Sequence, residues 1–466
     1  MKKWLEVLLA LVIIGATLAF GGVQVITYSI VEVVLFALVL LLLWKQTRQG
    51  AINLPLPVWP VLFVFLVVLQ IVPLPSSLVG YLSPGRLADF QSSATQAAVP
   101  SWVTLSVYPH ATLEALMRLL AYLSAFVLAA YVFDFRKGKS TLLRLLILLG
   151  CFEAAHGIVQ YVTGWQKIFT YTKKFDLEEA TGTFINRNHF AGFLEMVIPF
   201  VLAYAFYHFQ AWSGRRHSRG PGQASGRGSA EQVLFYVFLL ILLVVAVIFS
   251  RSRMGILVVA FTIITLALLA QLRVRRKIWM LGVLLFVGCV VGYGLWIGLG
   301  PVLARFEMVG EPGFLRIEGR FAIWRDVLHQ IRSFPVLGSG LGTFEVVYRG
   351  FQTTLVNLNV DHAHNDYLEF AADTGVIGAA LLFLPIFYLL ARMVVSFLDD
   401  HRSYRRAVTL GCIGSTLAIL LHSVADFNLQ IPANALLFAA ILGIGYRVAC
   451  LDRRAESEAG LEAYDR

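Results

Sequence analysis

Long continuous apolar runs, broken by short polar or basic stretches, recur from Trp4 to Cys450. The runs have the length that crosses hydrocarbon as helix, about 20 residues. They are uniformly apolar, so the alternating pattern of a membrane β-barrel is excluded. The breaks place spans at 5–21, 26–44, 57–73, 111–132, 141–162, 190–208, 232–249, 254–270, 278–297, 367–396, 407–424 and 433–449. The pattern therefore predicts an all-α polytopic membrane protein of about twelve transmembrane helices, a single membrane domain over 1–466. Two interruptions stand out. One is a basic, Gly- and Ser-rich loop over 209–231, read as flexible linker. The other is a polar loop over 298–366, inserted between the ninth and tenth spans and carrying short amphipathic helices.

Composition sharpens this picture. The chain is 58% hydrophobic and 14% charged, against about a quarter charged in soluble domains. Its net charge of +10 does not point to nucleic acid, because the basic residues punctuate the apolar runs. With both termini in the cytoplasm, the inner loops hold Lys45 and Arg48, Arg136 to Lys139, Arg215 to Arg227, Arg273 to Lys277, Arg402 to Arg406, and Arg453 and Arg454. That is a positive-inside pattern. It puts 74–109, 163–188, the turn at 250–253, 298–366 and 425–432 outside, away from nucleotide cofactors. Met1-Lys2-Lys3 before an apolar run imitates a signal peptide, but no convincing cleavage site follows, so an uncleaved first helix is expected. Cys151, Cys289, Cys412 and Cys450 lie in or beside apolar runs without metal-ligand spacing and read as small buried hydrophobes.

Several polar groups carry candidate chemistry. Arg251 and Arg253 stand in a four-residue turn between two spans. They either snorkel to headgroups or bind a diphosphate, for which the guanidinium fork is suited. Arg316 and Arg320 precede Phe321, Trp324, Val327 and Ile331, the spacing of an amphipathic surface helix with Arg320 near its amino end. The turn-rich run Phe334 to Phe344 lacks the Lys-Ser/Thr ending of a nucleotide loop. The sharpest local signal is Asp361-His362-Ala363-His364-Asn365-Asp366-Tyr367. Three readings stand open there: a metal site from Asp361, His362, His364 and Asp366, a helix cap at Asn365 or Asp366, and His364 as a base near neutral pH. Arg187, His189, His422 and Asp426 lie at outer helix ends and are candidate substrate-binding groups, as are Arg251, Arg316, His362, Asn365, Asp366 and Tyr367.

In their order and context, Ser250 to Gly255, Gly319 to Trp324, Phe334 to Phe344, and His364 to Glu369 followed by Gly375 to Gly378 resemble the bacterial O-antigen ligase and polysaccharide polymerase superfamily. The resemblance is clearest over 250–380. It implies an inverting, metal-independent glycosyltransferase at the periplasmic face of the inner membrane, with no cofactor. The implied donor is an undecaprenyl-diphosphate-linked glycan, and the acceptor is a lipid A-core, glycan or protein hydroxyl among membrane lipids. By motif, Arg253 and Arg320 engage the diphosphate and His364 is the catalytic histidine. A lipopolysaccharide-type ligase is favoured; the alternatives are a polymerase, a protein O-oligosaccharyltransferase and, in a different class, a transporter or flippase. The segment His422 to Gln430 resembles a superfamily feature and carries no assigned role.

Overall fold

The computed structural model describes residues 1–50, 52–93, 100–135, 138–215, 230–273, 315–353 and 359–452, and between 273 and 315 only Gly288 and Gly292. Eight helices in it are long and apolar enough to cross a membrane: Val25–Arg48, Pro109–Val132, Thr141–Thr163, Arg187–Ser213, Ala230–Phe249, Arg253–Leu272, Asp366–Asp399 and Pro432–Leu451. Of the other four expected spans, three fall on helices and one lies outside the described residues. Lys2–Leu18 and Val58–Ile71 are helices of 17 and 14 residues, short of the ~20 that a straight crossing takes. Ser403–His422 is long enough, but buries Tyr404, Arg405, Thr409, Ser415 and Thr416 inside the bundle. The span expected over 278–297 lies outside the described residues, as does most of the basic loop at 209–231.

The packing explains which helices sit at the centre. Arg187–Arg215 is buried along nearly its whole length and packs along Ser403–His422 and Ala230–Phe249. Pro432–Tyr446 packs along Pro109–Val132. Small residues let these backbones approach: a Cβ on Gly443 would overlap the Phe126 carbonyl, and one on Gly411 the Phe200 ring. Lys2–Leu18 buries Leu5, Leu9, Ala10 and Ile13 against Pro109–Val132 and Thr141–Thr163.

Among the described residues, the two predicted sets of loops gather at opposite ends of this bundle. At one end, Ser140 Oγ donates to Glu6 Oε1 (2.8 Å), Arg405 to the Val448 carbonyl (2.7 Å) and Arg406 to Gln210 Oε1 (3.2 Å). At the other, Ala180 N–H donates to the Phe249 carbonyl (3.0 Å), Gln70 to the carbonyls of Leu337 and Asp373 (2.7 and 3.0 Å), and Val107 N–H to the Ser339 carbonyl (2.8 Å). Two short antiparallel ribbons trim this second end, Leu74–Pro75 with Trp102–Val103 and Lys167–Ile168 with Tyr171–Thr172.

Helix Asp366–Asp399 is interrupted at Gly375, whose φ of 67° is left-handed. The break opens backbone groups to the 334–344 turn: Val376 N–H donates to the Pro335 carbonyl (2.9 Å), and Ser339 and Gly340 N–H to the carbonyls of Ala372 and Asp373 (3.1 and 2.8 Å). A Cβ on Gly375 would overlap the Val336 carbonyl, and one on Gly338 the Asp373 carbonyl. Through Gly338 the glycine-rich turn thus packs against this helix. This locks the helix that begins with the histidine motif to the polar layer above the bundle.

Candidate active site

The histidine motif is shaped by what clamps its backbone. Asn365 caps the Asp366–Asp399 helix, its side chain accepting from Leu368 N–H at 3.1 Å, as one sequence reading anticipated. His364, just before it, has φ 49°, a left-handed conformation uncommon outside glycine and held here by its neighbours. Those neighbours are visible: Ala363 N–H donates to Glu369 Oε2 at 2.8 Å, and the Ala363 carbonyl accepts from Trp324 Nε1 at 2.9 Å. Helix Leu315–Ser333 therefore does not lie on a membrane surface with its whole apolar face. It buries Ile323 and Val327 against Phe344, Tyr348, Val360, Ala363 and Ala372, covering the motif.

The pinned turn aims the two histidines differently. His362 Nδ1 lies 2.8 Å from Glu369 Oε1. Burial alone would lower its pKa, but the Glu369 carboxylate overcomes that and raises it to about 9, so His362 is an imidazolium at neutral pH. His364 Nδ1 faces Asp426 Oδ1 at 3.5 Å, longer than a formed hydrogen bond but within the range that tightens when substrate binds. Asp426 is buried and also has His189 Nε2 at 4.0 Å and Arg320 Nη2 at 4.0 Å. Burial would push its carboxyl up; His364, then His189 and His422, instead hold it well below the usual carboxylate range. Arg320 is anchored by donating to the Ala425 carbonyl at 2.7 Å. Asp426 and Ala425 thus form one acidic shelf on which Arg320, His364 and His189 converge.

The shelf is in turn fixed from below. Asp366 is spent on it, accepting from Ser423 Oγ (2.7 Å) and Leu429 N–H (3.2 Å). Tyr367 donates to the Leu420 carbonyl at 2.7 Å. His422 is wholly buried and its Nδ1 sits 2.9 and 3.1 Å from the two oxygens of Glu195. Glu195 escaped the sequence reading; the signal was a lone acid inside an apolar span. A Cβ on Gly255 would come 3.1 Å from Glu195 Oε1, so the first turn of helix Arg253–Arg273 abuts this same pair.

Of the remaining candidates, Arg187 is held by Asp176, with its Nε 3.8 Å from Oδ1, and by a close ion pair to Glu179. Arg251, with φ 52°, pairs with Glu178 at 3.2 Å and covers the Tyr161 ring at 5.5 Å. Arg253 is exposed and opens its helix. Arg316 falls in helix Leu315–Ser333, but its side chain lies outside the described residues. The quartet considered for a metal is dispersed, His362 onto Glu369 and Asp366 onto Ser423; among the described residues no three His, Cys, Asp or Glu are grouped to hold an ion.

An apolar cavity of about 430 Å³ opens beside the site. Trp59, Phe63, Phe126, Ile386 and Phe438 are among its walls, and Arg118, Glu345, Asp361, His362 and Glu369 are among its polar lining. Residues 238–383 match the family model described as Wzy_C, O-antigen ligase. A search of curated proteins finds no match to the chain. The matched stretch contains Arg253, Arg320 and His364, whereas Asp426, which faces Arg320 and His364, lies outside it, as do His189, Glu195 and His422. The O-antigen ligase domain over 238–383 supports placing the chain in the ligase and polysaccharide polymerase superfamily, with a ligase-like enzymatic activity.

Proposed function

We propose that the protein transfers a glycan from undecaprenyl diphosphate to an acceptor hydroxyl at the periplasmic face of the inner membrane, with lipid A-core as the favoured acceptor. The observation that carries this reading is the shelf of Asp426 and Ala425, which holds one imidazole and one guanidinium side by side at the end of an apolar bundle. With Nδ1 turned to a carboxylate, His364 favours the tautomer whose Nε2 is unprotonated and available as a base. The acceptor hydroxyl gives its proton to that nitrogen while its oxygen attacks the anomeric carbon. The bond to the diphosphate oxygen breaks, its electron pair leaves with the diphosphate, and the configuration inverts. Arg320, with Arg253 at the start of the helix beside Glu195, offsets the charge that develops there. No metal or cofactor is called on. The cavity next to His362 suits the hydrocarbon of a lipid-linked substrate.

Reconstitution with a defined undecaprenyl-diphosphate glycan and separate acceptors tests this. Covalent product is expected from the wild type, and Arg253→Ala, Arg320→Ala and His364→Ala should each lose most of it while inserting normally. Transport without a covalent product would identify a flippase instead, and wild-type rates in all three variants would overturn the site. Product identity separates ligase, polymerase and protein glycosylation.

A further inference from the structure

The segment His422 to Gln430 carries one large apolar side chain that meets the proposed chemistry from inside. Phe427 is 6% exposed, and its N–H donates to Asp426 Oδ1 at 2.9 Å. Three imidazoles touch its ring. His362 lies nearly parallel to it, with centroids 4.1 Å apart and planes at 21°. His364 meets it edge-on at 4.9 Å and 69°, and His189 does so at 4.7 Å and 75°. Polar contacts hold the last two rings only loosely: His364 Nδ1 and His189 Nε2 face Asp426 at 3.5 and 4.0 Å and neither forms a hydrogen bond among the described residues. The rotation of an imidazole about its outer bond is soft, so a flat neighbour is what sets it here.

We propose that Phe427 is a positioning residue for glycan transfer. Its ring is a plate that fixes the rotation of His364 against Asp426. The same plate stacks against His362, which lines the apolar cavity. Phe427 makes no contact with substrate in this scheme. It acts through the histidines, and through the N–H that orients the carboxylate between them. The inference rests on His364 being the base. It departs from the matched family region, which ends at residue 383, well before Phe427.

Leucine at this position keeps most of the volume but offers no flat face, whereas tyrosine keeps the ring. In the reconstituted full-length enzyme, Phe427→Leu should lower kcat by about 10- to 100-fold, the effect of a small misplacement at a reacting centre. Donor KM should stay within about twofold, because Arg320 remains anchored on Ala425. Its pH–rate profile should move as well, since the imidazoles lose their shared contact, and Phe427→Tyr should recover most of kcat. If Phe427→Leu does not fold, Phe427→Met offers another flexible side chain without a plate, and the same losses are expected. A folded Leu or Met variant with wild-type kcat and pH profile overturns the proposal, as does a Tyr variant no better than Leu. His364→Ala run in parallel separates the layers. Full activity in it sinks the base assignment together with this inference, while its inactivity beside a normal Phe427→Leu sinks this inference alone.

Discussion

Replacing Asp426 by Asn removes a charge while preserving shape, and the structure sets the size of the effect. The carboxylate stands 3.5 Å from His364 Nδ1. At an effective dielectric constant of about 20 to 40, its attraction for an imidazolium at that separation is about 2 to 5 kcal/mol. If His364 becomes protonated as the acceptor attacks, that energy belongs to the transition state, and losing it should slow kcat by roughly 30-fold to a few thousand-fold. Donor KM should change little, since the Ala425 carbonyl still holds Arg320 at 2.7 Å. The Asn oxygen can still accept from Phe427 N–H, so the variant should fold. There is a linked effect on stability. The folded-state pKa of Asp426 is depressed below its ordinary 3.8, so its contribution is present above that value and lost as pH falls through the depressed one. The melting difference between wild type and variant should therefore shrink in acid. Single-turnover transfer with saturating donor, beside a thermal melt in detergent, reads both quantities. A variant with wild-type kcat and a lowered melting temperature would refute the catalytic part and leave Asp426 a structural group.

Three further outcomes follow from other contacts. Glu195→Leu strands the buried His422 imidazole and should destabilise the fold by about 3 to 5 kcal/mol, whereas Glu195→Gln, which can still accept from Nδ1, should lose much less; chemical or thermal unfolding compares them. The His362 pKa rises from 6.5 unfolded to about 9 folded, so its pairing with Glu369 stabilises fully below 6.5 and is lost as pH rises through 9. His362→Gln should thus be less stable than wild type at pH 6, by at most about 3 kcal/mol, with the gap closing by pH 10. Arg251→Ala should slow transfer far less than Arg253→Ala, because Arg251 already lies between Glu178 and Tyr161; equal losses would assign both arginines to the donor.

The sequence made the helices legible wherever an apolar run was long and ended in charge, as at Val25–Arg48 and Arg253–Arg273. Hydropathy alone does not distinguish a full-length span from a shorter apolar helix such as Val58–Ile71, and Ser403–His422 carries polar residues that its neighbours bury. Helix Leu315–Ser333 was located, but Ile323 and Val327 of its apolar face cover the histidine turn, while Phe321 and Leu328 stay exposed. Periodicity identifies an apolar stripe and leaves its partner open. The site divides in the same way. His364 and Arg320 stand in local motifs, and the structure brings both to Asp426. The pairing of Glu195 with His422 joins residues 227 positions apart, and no local pattern encodes it. Phe427 was hidden differently, as one aromatic among 34 phenylalanines.

The proposed transfer requires one donor diphosphate lying between the arginines and His364. An experimental structure of the inactive His364→Ala variant with the undecaprenyl-diphosphate glycan bound examines that directly. The expected density has diphosphate oxygens within hydrogen-bonding distance of Arg320 and Arg253, and the anomeric carbon facing the space the imidazole left. Diphosphate bound at the opposite end of the bundle, beside Arg405 and Arg447, would contradict it.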